Sequence, residues 1–190
     1  MGIEVHHGIE LWRPALWDPR RVALAGSYYG MNGTSAETPG VDILVAQYFP
    51  VHQDATYDRI GVSVQAEAAG GKARLGIYHD IDEDGYPDAL VLDAGEVDCS
   101  TVGDKVITLD RHLHAGLYFL ALVVNTADIM FWMDKTPETP SPLGLGAGIG
   151  YPVYVYRAAW TYGALPSAYP GGASPANDAW SLALRLASLG

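Results

Sequence analysis

The chain has 190 residues, 49% hydrophobic and 17% charged, which gives ample material for one core and rules out a disordered composition. Its formal net charge of -11 argues against nucleic acid and anionic membrane as partners, because phosphate binding needs clustered Lys and Arg. A single cysteine, Cys99, excludes an intramolecular disulfide and reads as a small packing residue.

Residues Met1 to Gly40 differ from the rest. They hold Trp12, Trp17 and a proline- and turn-rich end, and no strict period lasts. This segment reads as an extended N-terminal arm, with VALAGSYYG as a candidate short strand. Its start, MGIEVHHGIELW, lacks a basic region followed by an apolar stretch, so no signal peptide is expected and synthesis in the cytoplasm is. Exposed tryptophans need a partner surface. Trp12 and Trp17 are therefore the expected assembly contacts, the alternative being an arm packed on its own domain.

From Val41 to the C-terminus the pattern is regular. VDILVAQYFPV is strand-like, and DRIGVSVQAEA alternates, with Ile60, Val62, Val64 and Ala66 on one face. AGG makes a turn, and ARLGIYHD returns. ALVLDAGEV and KVITLDRHL continue the series, and GLYFLALVV is apolar on both faces, as a strand covered on both sides must be. The stretch from Asp134 to Pro152 is a Pro/Gly-rich loop; YPVYVYRAAW is a strand; ALPSAYPGGASPAND is loop again. WSLALRLA alternates Trp180, Leu182, Leu184 and Leu186 with smaller or polar residues, which a helix would scatter round its surface. About eight strands with no long amphipathic helix imply an all-β, antiparallel, jelly-roll-like sandwich over residues 41–190. The Cys-Trp-Cys spacing of an immunoglobulin-like sandwich is absent.

One loop has the spacing of a cation site. In DIDEDGYPD, Asp80, Asp82, Asp84 and Asp88 stand at positions 1, 3, 5 and 9 of a calcium-loop pattern, with Gly85 at position 6 where the chain must turn sharply. Alternating carboxylates can converge on one hard cation. Position 12, the place of the bidentate acid, is Val91, and Asp93 lies two residues beyond. The competing reading is an acidic hairpin turn.

Other motifs fall short. GLGAGIG satisfies neither GxGxxG nor a P-loop. His112 and His114 share a face if extended, with no third ligand at a recognisable spacing, and His6 and His7 lie in the arm. No GxSxG, HExxH or Cys-His signature occurs, so no enzyme is expected. The many Tyr and Trp residues suit a core, a subunit interface or a sugar-binding surface.

The block from Tyr57 to Leu122 resembles a recurrent module of tailed-bacteriophage virion proteins. The matching residues are Asp58 to Val64, Gly70 to Tyr78, Gly85, Pro87, Leu90 to Val97, Lys105 to Leu109 and Gly116 to Leu122. The upstream SYYG and the alternating C-terminal strand fit the same layout. This resemblance implies a β-sandwich displayed on a virion as tail fibre, spike or head decoration, without enzymatic activity. Other virion subunits, a homo-oligomer and a host-surface glycan are the partners it implies. The acidic turn and the lack of a collagen-like or coiled-coil stalk depart from the pattern. The alternative function is a non-viral carbohydrate-binding module with calcium as structural support.

Overall fold

The computed structural model describes residues 25–30, 33–134 and 154–190. The described residues form strands and turns, with no helix. β1 (Tyr28–Gly30) and β2 (Ser35–Glu37) are short. β3 (Ile43–Val51), β4 (Ala55–Ala66), β5 (Lys72–His79), β6 (Ala89–Asp98), β7 (Gly103–Leu113) and β8 (Gly116–Val124) make the long central run. β9 (Met130–Asp134), β10 (Val155–Ala159), β11 (Ser174–Ala176), β12 (Ala179–Trp180) and β13 (Ala183–Leu189) complete it.

They build two antiparallel sheets packed as a sandwich. The first runs β1-β13-β4-β9-β12, with β7 on the other edge of β4 and β2 on β9. The second runs β11-β10-β3-β8-β5-β6. Consecutive strands from β3 to β8 switch sheets repeatedly, apart from the β5–β6 hairpin, which winds the chain into the antiparallel β-sandwich expected from the sequence.

The alternation in β4 decides its placement. Ile60, Val62 and Val64 are buried between the sheets, with Leu75 and Ile77 of β5, Leu120 and Leu122 of β8, and Leu184 and Leu186 of β13 in the same cluster. Each such side chain contributes about 1.5–3 kcal/mol by leaving water. Arg59, Ser63 and Gln65 take the outer face and are half-buried.

β8 is apolar on both faces for a different reason. Phe119, Ala121 and Val123 point away from the sandwich interior into a second cluster, with Tyr78, Leu165 and Tyr169. The connection between β10 and β11 covers this outer face. It starts beyond β10, reaches the opposite edge of the sheet, where Leu90 N donates to Ser167 O at 2.9 Å, and returns to β11. Tyr169 Oη donates to Leu44 O at 2.8 Å or to Tyr156 O at 3.0 Å on the way. The segment ALPSAYPGGASPAND, expected as loop throughout, is loop up to β11, which its residues Ser174–Ala176 form against β10, and the loop part buries one face of a sheet.

β5 makes room for it with glycine. A Cβ on Gly76 would lie 2.2 Å from Leu165 Cδ1 and 2.7 Å from Leu92 O. The hydrogen atom lets the covering loop close on the sheet.

Two findings refine the sequence reading. WSLALRLA is not one strand. Trp180 pairs with Met133, whereas Ala183 pairs with Gly61, and Leu182 N donates to Trp180 O at 2.7 Å in a three-residue turn between them. All four apolar side chains still face inward, so the alternation survives the break. The second finding concerns residues before Val41. Tyr29 faces Leu184, and Ala36 faces Trp132, so two short strands of the segment read as an arm pair into the first sheet. Trp12 and Trp17, like GLGAGIG, lie outside the described residues.

Candidate functional site

DIDEDGYPD connects β5 to β6 and is held by its own carboxylates. Asp80 is buried, and its two oxygens accept from Asp84 N at 3.2 Å and Gly85 N at 2.9 Å. Asp88 Oδ2 accepts from Ile81 N at 2.8 Å, and Asp84 Oδ1 from Tyr86 N at 2.8 Å. Gly85 adopts a φ of 82°, the left-handed region that its place in the turn demands.

The loop brings three of its four expected ligands together. Asp80, Asp82 and Asp88 each offer an oxygen within 4.8 Å of the other two. Asp84 is not in that group. Asp82 hydrogen-bonds to Asp88, and this contact, followed by the charge of Asp88, holds the Asp82 carboxyl above its usual range. A shared proton or a bound hard cation relieves such a pair. Asp93 does not complete the set, because Arg74 Nε occupies its two oxygens at 2.8 and 2.9 Å.

The loop also anchors the cover of the second sheet. Tyr86 Oη donates to Pro170 O at 2.6 Å, and Tyr169 N donates to Asp88 O at 2.7 Å. Tyr78 Oη reaches Pro166 O at 2.8 Å. The rings of Tyr78 and Tyr169 meet edge to face with centroids 5.2 Å apart, and those of Tyr86 and Tyr156 lie 4.8 Å apart. Much of the aromatic content therefore serves packing.

A second cluster escaped sequence reading. Asp54, on the β3–β4 turn, meets His112 and His114 at the end of β7. Its carboxyl is held below the usual range, first by the hydrogen bond from His114 and then by Ala115 N–H. The signal available was the His-x-His pair; nothing near Asp54 marked it as the partner.

A shallow hollow of about 430 Å³ opens beside Asp42, Ala159, Trp160 and Thr161. Asp42 shapes it: its backbone has a φ of 57°, its carbonyl accepts from Trp160 N at 2.9 Å, and its Oδ1 accepts from Tyr162 N at 2.9 Å. Trp160 Nε1 donates to Ala164 O at 3.2 Å, which fixes the indole at the rim. A ring beside a carboxylate is an arrangement that can take a sugar. No protein-family model and no curated protein matches this chain.

Proposed function

We propose that the protein is a structural subunit of a tailed-phage virion or phage-like particle, a β-sandwich displayed on tail or capsid. One observation carries this reading. The residues resembling the virion module, Asp58 to Leu122, fall within the run from β4 to β8, which contributes strands to both sheets. The likeness thus covers the framework of the sandwich and not a single loop. Tyr28, Val106 and Trp132 are exposed on the outer face of the first sheet, whereas the second sheet is covered by its own loop. An open sheet face with aromatic residues suits neighbouring subunits in a symmetric assembly. Trp12 and Trp17 are assigned as further assembly contacts, and no catalysis is assigned. Electron microscopy of purified particles with a specific antibody tests the proposal. Regular labelling at the tail or head is expected; absence of the protein from gradient-purified particles would overturn it.

The second reading is a carbohydrate-binding module, favoured by the hollow at Asp42, Trp160 and Thr161. A glycan array with the isolated protein, with and without calcium, separates the two. Glycan retained by the free protein and lost in Trp160→Ala supports this reading or a host-adhering virion subunit, and the particle labelling then decides between them. In either case calcium is assigned to the acidic loop, with Asp80, Asp82 and Asp88 as its carboxylate ligands.

A further inference from the structure

The β3–β4 and β7–β8 turns lie side by side because β4 pairs with β7. Ala55 faces Leu113, and Thr56 faces His112. This register sets Asp54, just before β4, against His112 and against His114, just past β7. His114 Nδ1 lies 3.0 Å from Asp54 Oδ2, and His112 Nε2 lies 3.9 Å from the same oxygen. One donor atom from each of the three residues lies within 4.8 Å of the other two. Around a tetrahedral zinc ion with bonds near 2.0–2.1 Å, neighbouring donors stand about 3.3 Å apart. The two separations from Asp54 bracket that value, so small side-chain rotations bring the donors to bonding distance.

The surroundings already orient two of the three donors. Thr56 Oγ1 lies 3.3 Å from His112 Nδ1. When Nδ1–H donates to that hydroxyl, the lone pair of Nε2 is left on the side of Asp54. Ala115 N donates to Asp54 Oδ1 at 2.9 Å, which leaves Oδ2 for an ion. Outer partners of this kind fix the tautomer of a ligating histidine and the orientation of a ligating carboxylate.

We propose that Asp54, His112 and His114 bind a divalent transition-metal ion, with zinc as the best match, at the end of the sandwich where these two turns meet. Two imidazoles and one carboxylate suit zinc and its neighbours, whereas calcium and magnesium take oxygen donors. Three protein ligands leave a fourth position open to solvent or to an incoming donor. The side chains are exposed, so affinity is modest, and the ion acts as a clip between two turns that the chain connects only through long strands. This site is independent of the virion reading and of the acidic loop.

Calorimetric titration of the full chain with zinc chloride tests the proposal. The chain carries His6→Ala and His7→Ala, because that adjacent pair is a competing ligand for zinc. One zinc per chain and a raised melting temperature are expected, since an ion that binds only the folded state stabilises it by mass action. His112→Ala and His114→Ala should each weaken binding by more than about tenfold. His114 is 78% exposed at its side chain, and exposed ion pairs contribute little, so its variant should shift the metal-free melting temperature only slightly and separate lost binding from lost folding. Cobalt(II) should give visible absorption that the same variants abolish, and excess calcium should leave the zinc isotherm unchanged. Absence of zinc heat, or an unaltered isotherm in the His112→Ala/His114→Ala double variant, would overturn the assignment.

Discussion

Arg74 Nε donates to both carboxylate oxygens of Asp93, at 2.8 and 2.9 Å, and this contact ties the edge strand β6 to its neighbour β5. Asp93 also accepts from Leu165 N at 3.0 Å and Gly95 N at 3.1 Å, so it joins the sheet to the loop that covers it. Asp93→Ala leaves the Arg74 guanidinium to Glu96, whose Oε1 lies 3.6 Å from its Nη1, and removes the acceptor of the Leu165 N–H. Hydrogen bonds to a charged group are worth about 1.5–3 kcal/mol each, and both side chains here are only about one-fifth exposed. We expect a loss of about 2 kcal/mol in urea denaturation, with faster amide exchange at Leu165. An unchanged midpoint together with unchanged exchange would remove Asp93 from this role.

Gly76 is the second test of the covered face. Its missing Cβ is the space that Leu165 and the carbonyl of Leu92 fill, at 2.2 and 2.7 Å from where a methyl would sit. Leu165 can swing aside, but a backbone carbonyl cannot without disturbing the pairing of β5 with β6. Gly76→Ala should cost about 1–3 kcal/mol, as overpacking does. A methyl added at Gly171 would meet nothing within 4 Å, so Gly171→Ala is the control and should stay within about 0.5 kcal/mol. Equal effects of the two changes would count against a tight cover.

The sequence made β4, β8 and β13 legible because burial of one face, or of both, leaves a period in the side chains. Ile60, Val62 and Val64 show it on one face, and Phe119 to Val124 on two. β1, β2 and β11 are three residues each, too short for a period, and their backbone partners alone define them. Leu165 and Tyr169 bury a sheet face from an irregular backbone, so nothing local distinguishes them from other loop residues. The candidate sites divide in the same way. Asp80, Asp82 and Asp88 are close in sequence and readable as a motif. Asp54 and His114 are 60 residues apart, and only the β4–β7 register joins them. Asp93 looks available as a calcium ligand until the β5–β6 register sets Arg74 beside it.

Cys99 gives a probe of the core. The thiol is fully buried, and burial pushes it up to about 11. At pH 8 the thiolate that reacts with disulfide reagents is then about one part in a thousand, and the reagent has no approach. Native protein should be inert to Ellman's reagent over hours, and one thiol per chain should react promptly in urea at concentrations above the unfolding midpoint. Rapid reaction of the native protein would show that the end of β6 opens without global unfolding.

The acidic loop makes a prediction whose sign is opposite to that of most carboxylates. Asp82 is held above its usual range by its hydrogen bond to Asp88, so the folded state binds that proton more tightly than the unfolded chain does. The stabilisation is present below the unfolded value, near 3.9, and is lost as pH rises through the elevated folded value. Asp54, Asp58 and Asp98 are held low and act the other way, losing stability as pH falls. The difference between wild type and Asp82→Asn isolates the loop. From pH 3 to pH 6 the melting temperature of wild type should fall relative to the variant, because the variant has no second negative charge to place beside Asp88. At pH 7 calcium should restore the lost stability by taking the place of the shared proton. EDTA should reverse that gain, and Asp82→Asn should show little of either effect. A wild-type melting curve that ignores calcium and EDTA at pH 7, with the low-pH difference intact, would leave the loop as a carboxylate pair sharing a proton and exclude the cation.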